Sequence, residues 1–101
     1  MKQLDTQKEK AGRMSWTVYI LECADGSLYT GITTDLARRI TEHEQGNGAR
    51  YTKGRGPFCL VHKECFDNRA EASKREVSIK ALSRGKKLAL ILRGDIADHG
   101  L

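Results

Sequence analysis

The chain holds 101 residues, enough for one domain with a single core. Hydrophobic residues make up 39% and charged residues 31%, and the longest apolar run, residues 88–92, is far too short to cross a bilayer. The opening residues carry no apolar signal core, so export is not expected and a cytoplasmic location is. The net charge of +5 points to an anionic partner. Lys and Arg crowd the stretch from Arg69 to Arg93, where the only carboxylates are Glu71 and Glu76. No bulky amphipathic stripe accompanies that charge, which favours nucleic acid over a membrane surface.

In chain order, residues 1–14 are polar and aperiodic and read as a flexible extension ahead of a domain at 15–93. Residues 16–23 (WTVYILEC) are rich in β-branched and aromatic side chains and predict a strand; residues 28–33 (LYTGIT) predict another. Asp25-Gly26 between them signals a hairpin. A two-residue turn would set Glu22 against Tyr29 and send Tyr19 and Tyr29 to opposite faces. A three-residue loop over 24–26 would pair Leu21 with Tyr29 and Tyr19 with Gly31, leaving both phenols on one face. Gly26 suits the left-handed position that closes such a loop, and shared chemistry requires this form.

Thr34 or Asp35 predicts a helix cap, with the helix running to about Gln45 and Gly46 as its stop. Residues 46–57 (GNGARYTKGRGP) read as loop, and residues 58–66 as a third strand. Asn68 or Asp67 caps a second helix through Leu82. Arg84-Gly85 then breaks the chain before a short third helix over 86–92, and residues 94–101 form a weak C-terminal tail. The order β-β-α-β-α-α predicts an α+β domain, a small three-stranded antiparallel sheet flanked by helices.

Cys23, Cys59 and Cys65 form no CxxC pair and read as reduced, partly buried apolar residues. Cys59, His62 and Cys65 have a metal-like spacing. Strand alternation, however, turns His62 away from both cysteines, and a fourth ligand is missing, so zinc is not expected.

Tyr19 lies in the first strand, and Tyr29, followed by Thr30-Gly31, in the second. Arg39 and His43 stand four apart and share a helix face. Glu76 lies on the second helix, on the side of Ala72, Ile79 and Ser83. Singly, each has a plain explanation: a packed tyrosine, solvated helix residues, a surface ion pair with Arg75 or Lys80. Together, Thr17-Val18-Tyr19, Tyr29-Thr30-Gly31, Arg39 and His43 ten and fourteen residues after Tyr29, and Glu76 with Lys80 resemble the GIY-YIG nuclease superfamily. The resemblance covers residues 16–92 and is closest to its small single-domain bacterial members. Two departures stand out. Threonine replaces the first glycine of the motif, and residues 85–92 lack the asparagine that many members carry after the glutamate helix.

The resemblance implies a metal-dependent endonuclease that hydrolyses nucleic-acid phosphodiesters, with DNA repair or processing as the setting. Its catalytic residues would be Tyr19, Tyr29, Arg39, His43 and Glu76, and Glu76 would bind one Mg²⁺ or Mn²⁺. The residue chemistry is suitable. A hard cation needs only one or two carboxylates beside water and phosphate, and the Arg39 fork matches two phosphate oxygens. Tyr19 is the candidate general base; a phenol of pKa about 10 needs a lowered value or a nearby proton acceptor, and His43 could accept that proton or hydrogen-bond the hydroxyl. Tyr29 would position water or phosphate; spacing leaves open which phenol is the base. Gly31 has a structural role, allowing close backbone approach. Arg50, Tyr51, Lys53 and Arg55 of the loop, with Lys80, are candidate nucleic-acid contacts that track phosphates and stack a base without reading sequence. A monomer acting on DNA rather than RNA is expected. The alternatives are a non-catalytic nucleic-acid-binding module with a degenerate active site, and an adaptor for an acidic protein.

Overall fold

The computed structural model describes residues 15–100, with side chains described as far as Gly94. The extension expected at 1–14 lies outside the described residues. The elements are β1 (Trp16–Glu22), β2 (Leu28–Thr33), α1 (Leu36–Glu44), a 3-10 turn (Arg50–Thr52), β3 (Cys59–Phe66), α2 (Arg69–Lys80) and α3 (Arg84–Gly100). The strands form one antiparallel sheet in the order β2-β1-β3. This is the expected α+β architecture and element order.

β1 takes the central place because its apolar residues are not confined to one side. Val18, Tyr19, Ile20 and Leu21 are all fully buried, so both faces of the strand are covered. Val18 and Ile20 pack with Ala72 and Ile79 of α2 and Leu90 of α3 to make the core. Tyr19 faces the other way, toward α1 and the glycine-rich loop. A strand buried on both sides positions its polar side chain as firmly as its apolar ones.

The hairpin has the three-residue loop. Tyr29 pairs with Leu21 and Gly31 with Tyr19, and the loop closes through Cys23 N to Ser27 O at 2.8 Å. Gly26 sits at φ 85°, a conformation in which a side chain would be strained. Asp25 fixes the turn further, its Oδ1 accepting from the Ser27 amide and hydroxyl. One residue fewer would move Tyr29 to the opposite face.

Asp35 caps α1, accepting from Arg38 N at 3.1 Å, and Asn68 caps α2, accepting from Glu71 N at 2.9 Å. α2 ends at Lys80, two residues short of the expectation. The following segment departs more. Arg84-Gly85 opens α3 instead of breaking the chain, because Ser83 caps it: the Ser83 hydroxyl accepts from Lys86 N and its carbonyl from Lys87 N. Such a cap offsets the roughly 1 kcal/mol that a helical glycine costs. α3 then runs 17 residues to Gly100, through the backbone expected to be a tail.

β3 also departs from simple alternation. Ile20 pairs with His62 and Leu21 with Leu60, so Val61 is an inserted bulge residue. Cys59 thereby comes into register with Glu22 and shares a face with His62, while Cys65 opposes Thr17 on the tyrosine side. The expectation that His62 faces away from both cysteines is corrected for Cys59. The shared face does not make a metal site, since no metal-holding group of three His, Cys, Asp or Glu exists among the described residues. Cys23 alone is buried; Cys59 and Cys65 are exposed.

Candidate active site

Tyr19 crosses its pairing partner. A Cβ built on Gly31 would stand 2.7 Å from the Tyr19 hydroxyl and 3.0 Å from Cε2 of Tyr29. Gly31 therefore makes room for the Tyr19 ring itself, a closer contact than the backbone approach expected of it. The ring centroids of Tyr19 and Tyr29 lie 6.2 Å apart, and His43 stands edge-on to both, at 5.9 Å and 5.3 Å. These separations are those of favourable edge-to-face packing.

His43 is the one buried residue of α1. Its Nε2 lies 2.9 Å from the Tyr19 hydroxyl and its Nδ1 lies 2.8 Å from Thr52 Oγ1. Burial, reinforced by the positive charge of Arg39, pushes the imidazole pKa down, so His43 is neutral at pH 7. Burial also dominates at Tyr19, whose pKa is pushed up to about 12 although Arg39 pulls the other way. Arg39 lies one turn before His43, about a third exposed, and donates to Glu42 Oε1 at 2.9 Å. That bond is the first reason its pKa is raised, and it fixes the charge of the guanidinium. The two phenols, the imidazole and the guanidinium thus meet on one face.

Glu76 enters from the helix on the opposite face. Its carboxylate acts on Tyr19, opposing ionisation of the phenol, and pairs with Lys80 Nζ at 3.2 Å. Lys80 in turn lines a hollow of about 260 Å³ with Leu28, Tyr29, Thr30, Tyr51 and Lys87. Three consecutive β2 residues line that hollow although alternate residues point to opposite faces. The hollow therefore wraps the free edge of β2, where the two sides of the sheet meet. Tyr29 itself is only partly buried, in contrast to the fully buried Tyr19.

The loop is tied down by one of its own basic residues. Arg55 pairs with Asp25 at 2.6 Å, donates to Tyr51 O at 2.7 Å and lies 4.5 Å over the Tyr51 ring. The Ala24 amide reaches back to Arg55 O. Arg55 thus joins the loop to the hairpin turn, a structural task that composition did not reveal. Tyr51 already stacks on Tyr29, with centroids 5.9 Å apart, while Arg50 and Lys53 are exposed. Sequence reasoning passed over Thr52, Lys87, Glu42 and Phe58, whose ring centroid lies 5.9 Å from that of His43. Only Glu42, three residues from Arg39 on the same helix, had a spacing that signalled its partner.

A hairpin that carries two tyrosines on one face, with arginine and histidine brought to that face by α1 and a glutamate approaching on α2 from the other, is the centre of this small α+β domain. The family model described as the GIY-YIG catalytic domain matches residues 15–89. The chain belongs to the GIY-YIG family. Its relatives are UPF0213 proteins, a small single-domain branch. That of Desulfotalea psychrophila is 55% identical over 86 residues, covering 84% of this chain and 78% of its own. That of Halobacterium salinarum is 56% identical over 73 residues, covering 72% of this chain and 95% of its own. The solution NMR structure of a UPF0213 protein from Bacillus halodurans superposes with TM-score 0.54 at 55% identity, covering 80% of this chain and 87% of that one. A protein from E. faecalis gives TM-score 0.53 at 43% identity, covering 75% and 82%.

Proposed function

We propose that the protein is a metal-dependent endonuclease that hydrolyses phosphodiester bonds of nucleic acid. The observation that carries this reading is the hairpin register: it puts Tyr19 and Tyr29 on one face, against His43 and Arg39. Lys80 adjoins Tyr29 at the edge of β2, and Glu76, paired with Lys80, acts electrostatically on Tyr19.

Arg39, charged at any working pH, grips the phosphate and opposes the charge that builds on it as the P–O bond breaks. Tyr29, the less buried of the two tyrosines, orients the attacking water. A phenol with its pKa pushed up to about 12 is a poor base alone. Coupled to neutral His43, Tyr19 takes the proton of water as it passes its own to Nε2. The general-base role of Tyr19 is therefore a shared one.

The donor set suits a hard divalent ion held by a single carboxylate. The described residues contain no cluster of three ligating side chains, whereas Glu76 lies within electrostatic reach of the Tyr19 phenol, and water and phosphate would complete a coordination shell. Glu76 would hold Mg²⁺ or Mn²⁺, which when bound supplies Lewis-acid stabilisation at the phosphoryl oxygens. The partner in this reading is DNA ahead of RNA, bound by a cytoplasmic monomer in repair or processing. Lys80, Lys87, Arg50 and Lys53 supply phosphate contacts. Among the described residues no helix is long and apolar enough to cross a membrane.

The test is cleavage of single-stranded, duplex and branched DNA and of RNA, with Mg²⁺ or Mn²⁺ and in chelator. Cutting should require the ion. Glu76→Ala should abolish cutting while leaving nucleic-acid affinity within about threefold, because affinity for the phosphate backbone comes from cationic side chains and not from a carboxylate. Equal cutting in chelator overturns the metal role. Tight binding with no cutting on any substrate would favour the module with a degenerate site.

A further inference from the structure

Thr52 is 1% exposed, and its single hydroxyl stands between two partners. Oγ1 lies 2.9 Å from the Ala49 carbonyl and 2.8 Å from His43 Nδ1. A carbonyl oxygen only accepts, so the one hydroxyl proton goes to Ala49. The hydroxyl meets the imidazole through a lone pair, which requires Nδ1 to carry the ring proton. A neutral ring holds one proton, leaving Nε2 bare, and the Tyr19 hydroxyl 2.9 Å away must donate to it. We propose that Thr52 is a positioning residue that locks His43 in the Nδ1–H tautomer and so sets the direction of the Tyr19 hydrogen bond.

The chain runs one way, from the Tyr19 phenol through His43 and Thr52 to the loop backbone. Reversing the imidazole would present an N–H to the phenol oxygen and close the path for its proton. The lock comes from the 3-10 turn of the glycine-rich loop, so folding of that loop over α1 is what prepares the imidazole. The tautomer rests on the hydrogen bonds alone; its use in proton transfer rests on the endonuclease reading above.

The tautomer is read from ring ¹⁵N shifts of the histidine-labelled protein near pH 7.5, with the His43 signals assigned by a His43→Gln variant. Wild type should show protonated Nδ1 and bare Nε2. Thr52→Val, which keeps the shape and removes the acceptor, should give the reverse form or a mixture, and Thr52→Ser should restore Nδ1–H. Protonated Nε2 in wild type overturns the proposal, whether or not the valine variant folds. So does an unchanged Nδ1–H spectrum in folded Thr52→Val. In the cleavage assay, Thr52→Val should slow turnover by about tenfold or more, since general acid–base assistance contributes roughly 10²–10⁴-fold. Absence of cleavage in wild type would remove the endonuclease reading and leave the tautomer result standing.

Discussion

At the residue scale, Gly31 joins pairing to chemistry. It faces Tyr19 across the hairpin, and the space where its Cβ would stand is filled by the phenol. The tyrosine is fully buried and cannot swing aside without disturbing β1. Gly31→Ala should therefore destabilise the domain by about 1–3 kcal/mol, the usual range for overpacking. It should also reduce cleavage more than the loss of folded protein explains, because the Tyr19–His43 bond is displaced. Thermal melting beside activity per folded molecule checks both parts. A variant of wild-type stability would mean that the glycine is not needed for close approach. Tyr19, Tyr29, Arg39, His43 and Glu76 were candidates in the sequence through their resemblance to the family motifs. Thr52 was not, because its task depends on where a loop lands.

At the element scale, α2 is tethered to β3 by Glu64. Its carboxylate accepts from Arg75 Nε at 2.9 Å and Nη2 at 3.0 Å, and from His62 Nε2 at 2.7 Å. Burial pushes the Glu64 pKa up, but the bonds from Arg75 and His62 outweigh burial and hold it below the ordinary value. A depressed folded-state pKa gives stability that is present above the unfolded value of about 4.3 and lost as pH falls through the folded one. Glu64→Gln should cost about 1–3 kcal/mol at pH 7, a figure reduced from that of a fully buried pair by partial exposure. Melting temperatures of the two proteins should converge as pH falls below the unfolded value and through the depressed folded one. A gap independent of pH would mean that packing, and not the ion pair, holds α2. The elements themselves were readable because caps and period are local. The boundary at Arg84-Gly85 misled because one capping hydroxyl, Ser83, decides it.

At the scale of the whole molecule, charge is divided between two sides. Lys87 is half-buried and lines the hollow with Tyr29, whereas its neighbour Lys86 lines a separate cavity with Arg75 and Arg93. Substituting either by glutamine removes the same charge. Only Lys87→Gln should markedly weaken binding of a single-stranded oligonucleotide and lower the slope of log affinity against log salt by about 1. Fluorescence anisotropy across a salt series distinguishes the two. Equal effects would assign the basic surface to long-range attraction without a preferred side.

The sequence by itself determined the α+β class and the strands, since periodicity and turn chemistry are properties of neighbouring residues, and its motifs named the candidate side chains by family resemblance. It narrowed the hairpin to two registers, and the need for shared chemistry chose between them. The tertiary structure alone decided that Tyr19 is buried and Tyr29 only partly so, that Arg55 clamps a loop, that Lys87 and not Lys86 borders the tyrosines, and which nitrogen of His43 faces the phenol. Each of those outcomes depends on segments far apart in the chain, because burial and hydrogen-bond partnership are created only when distant elements close on one another.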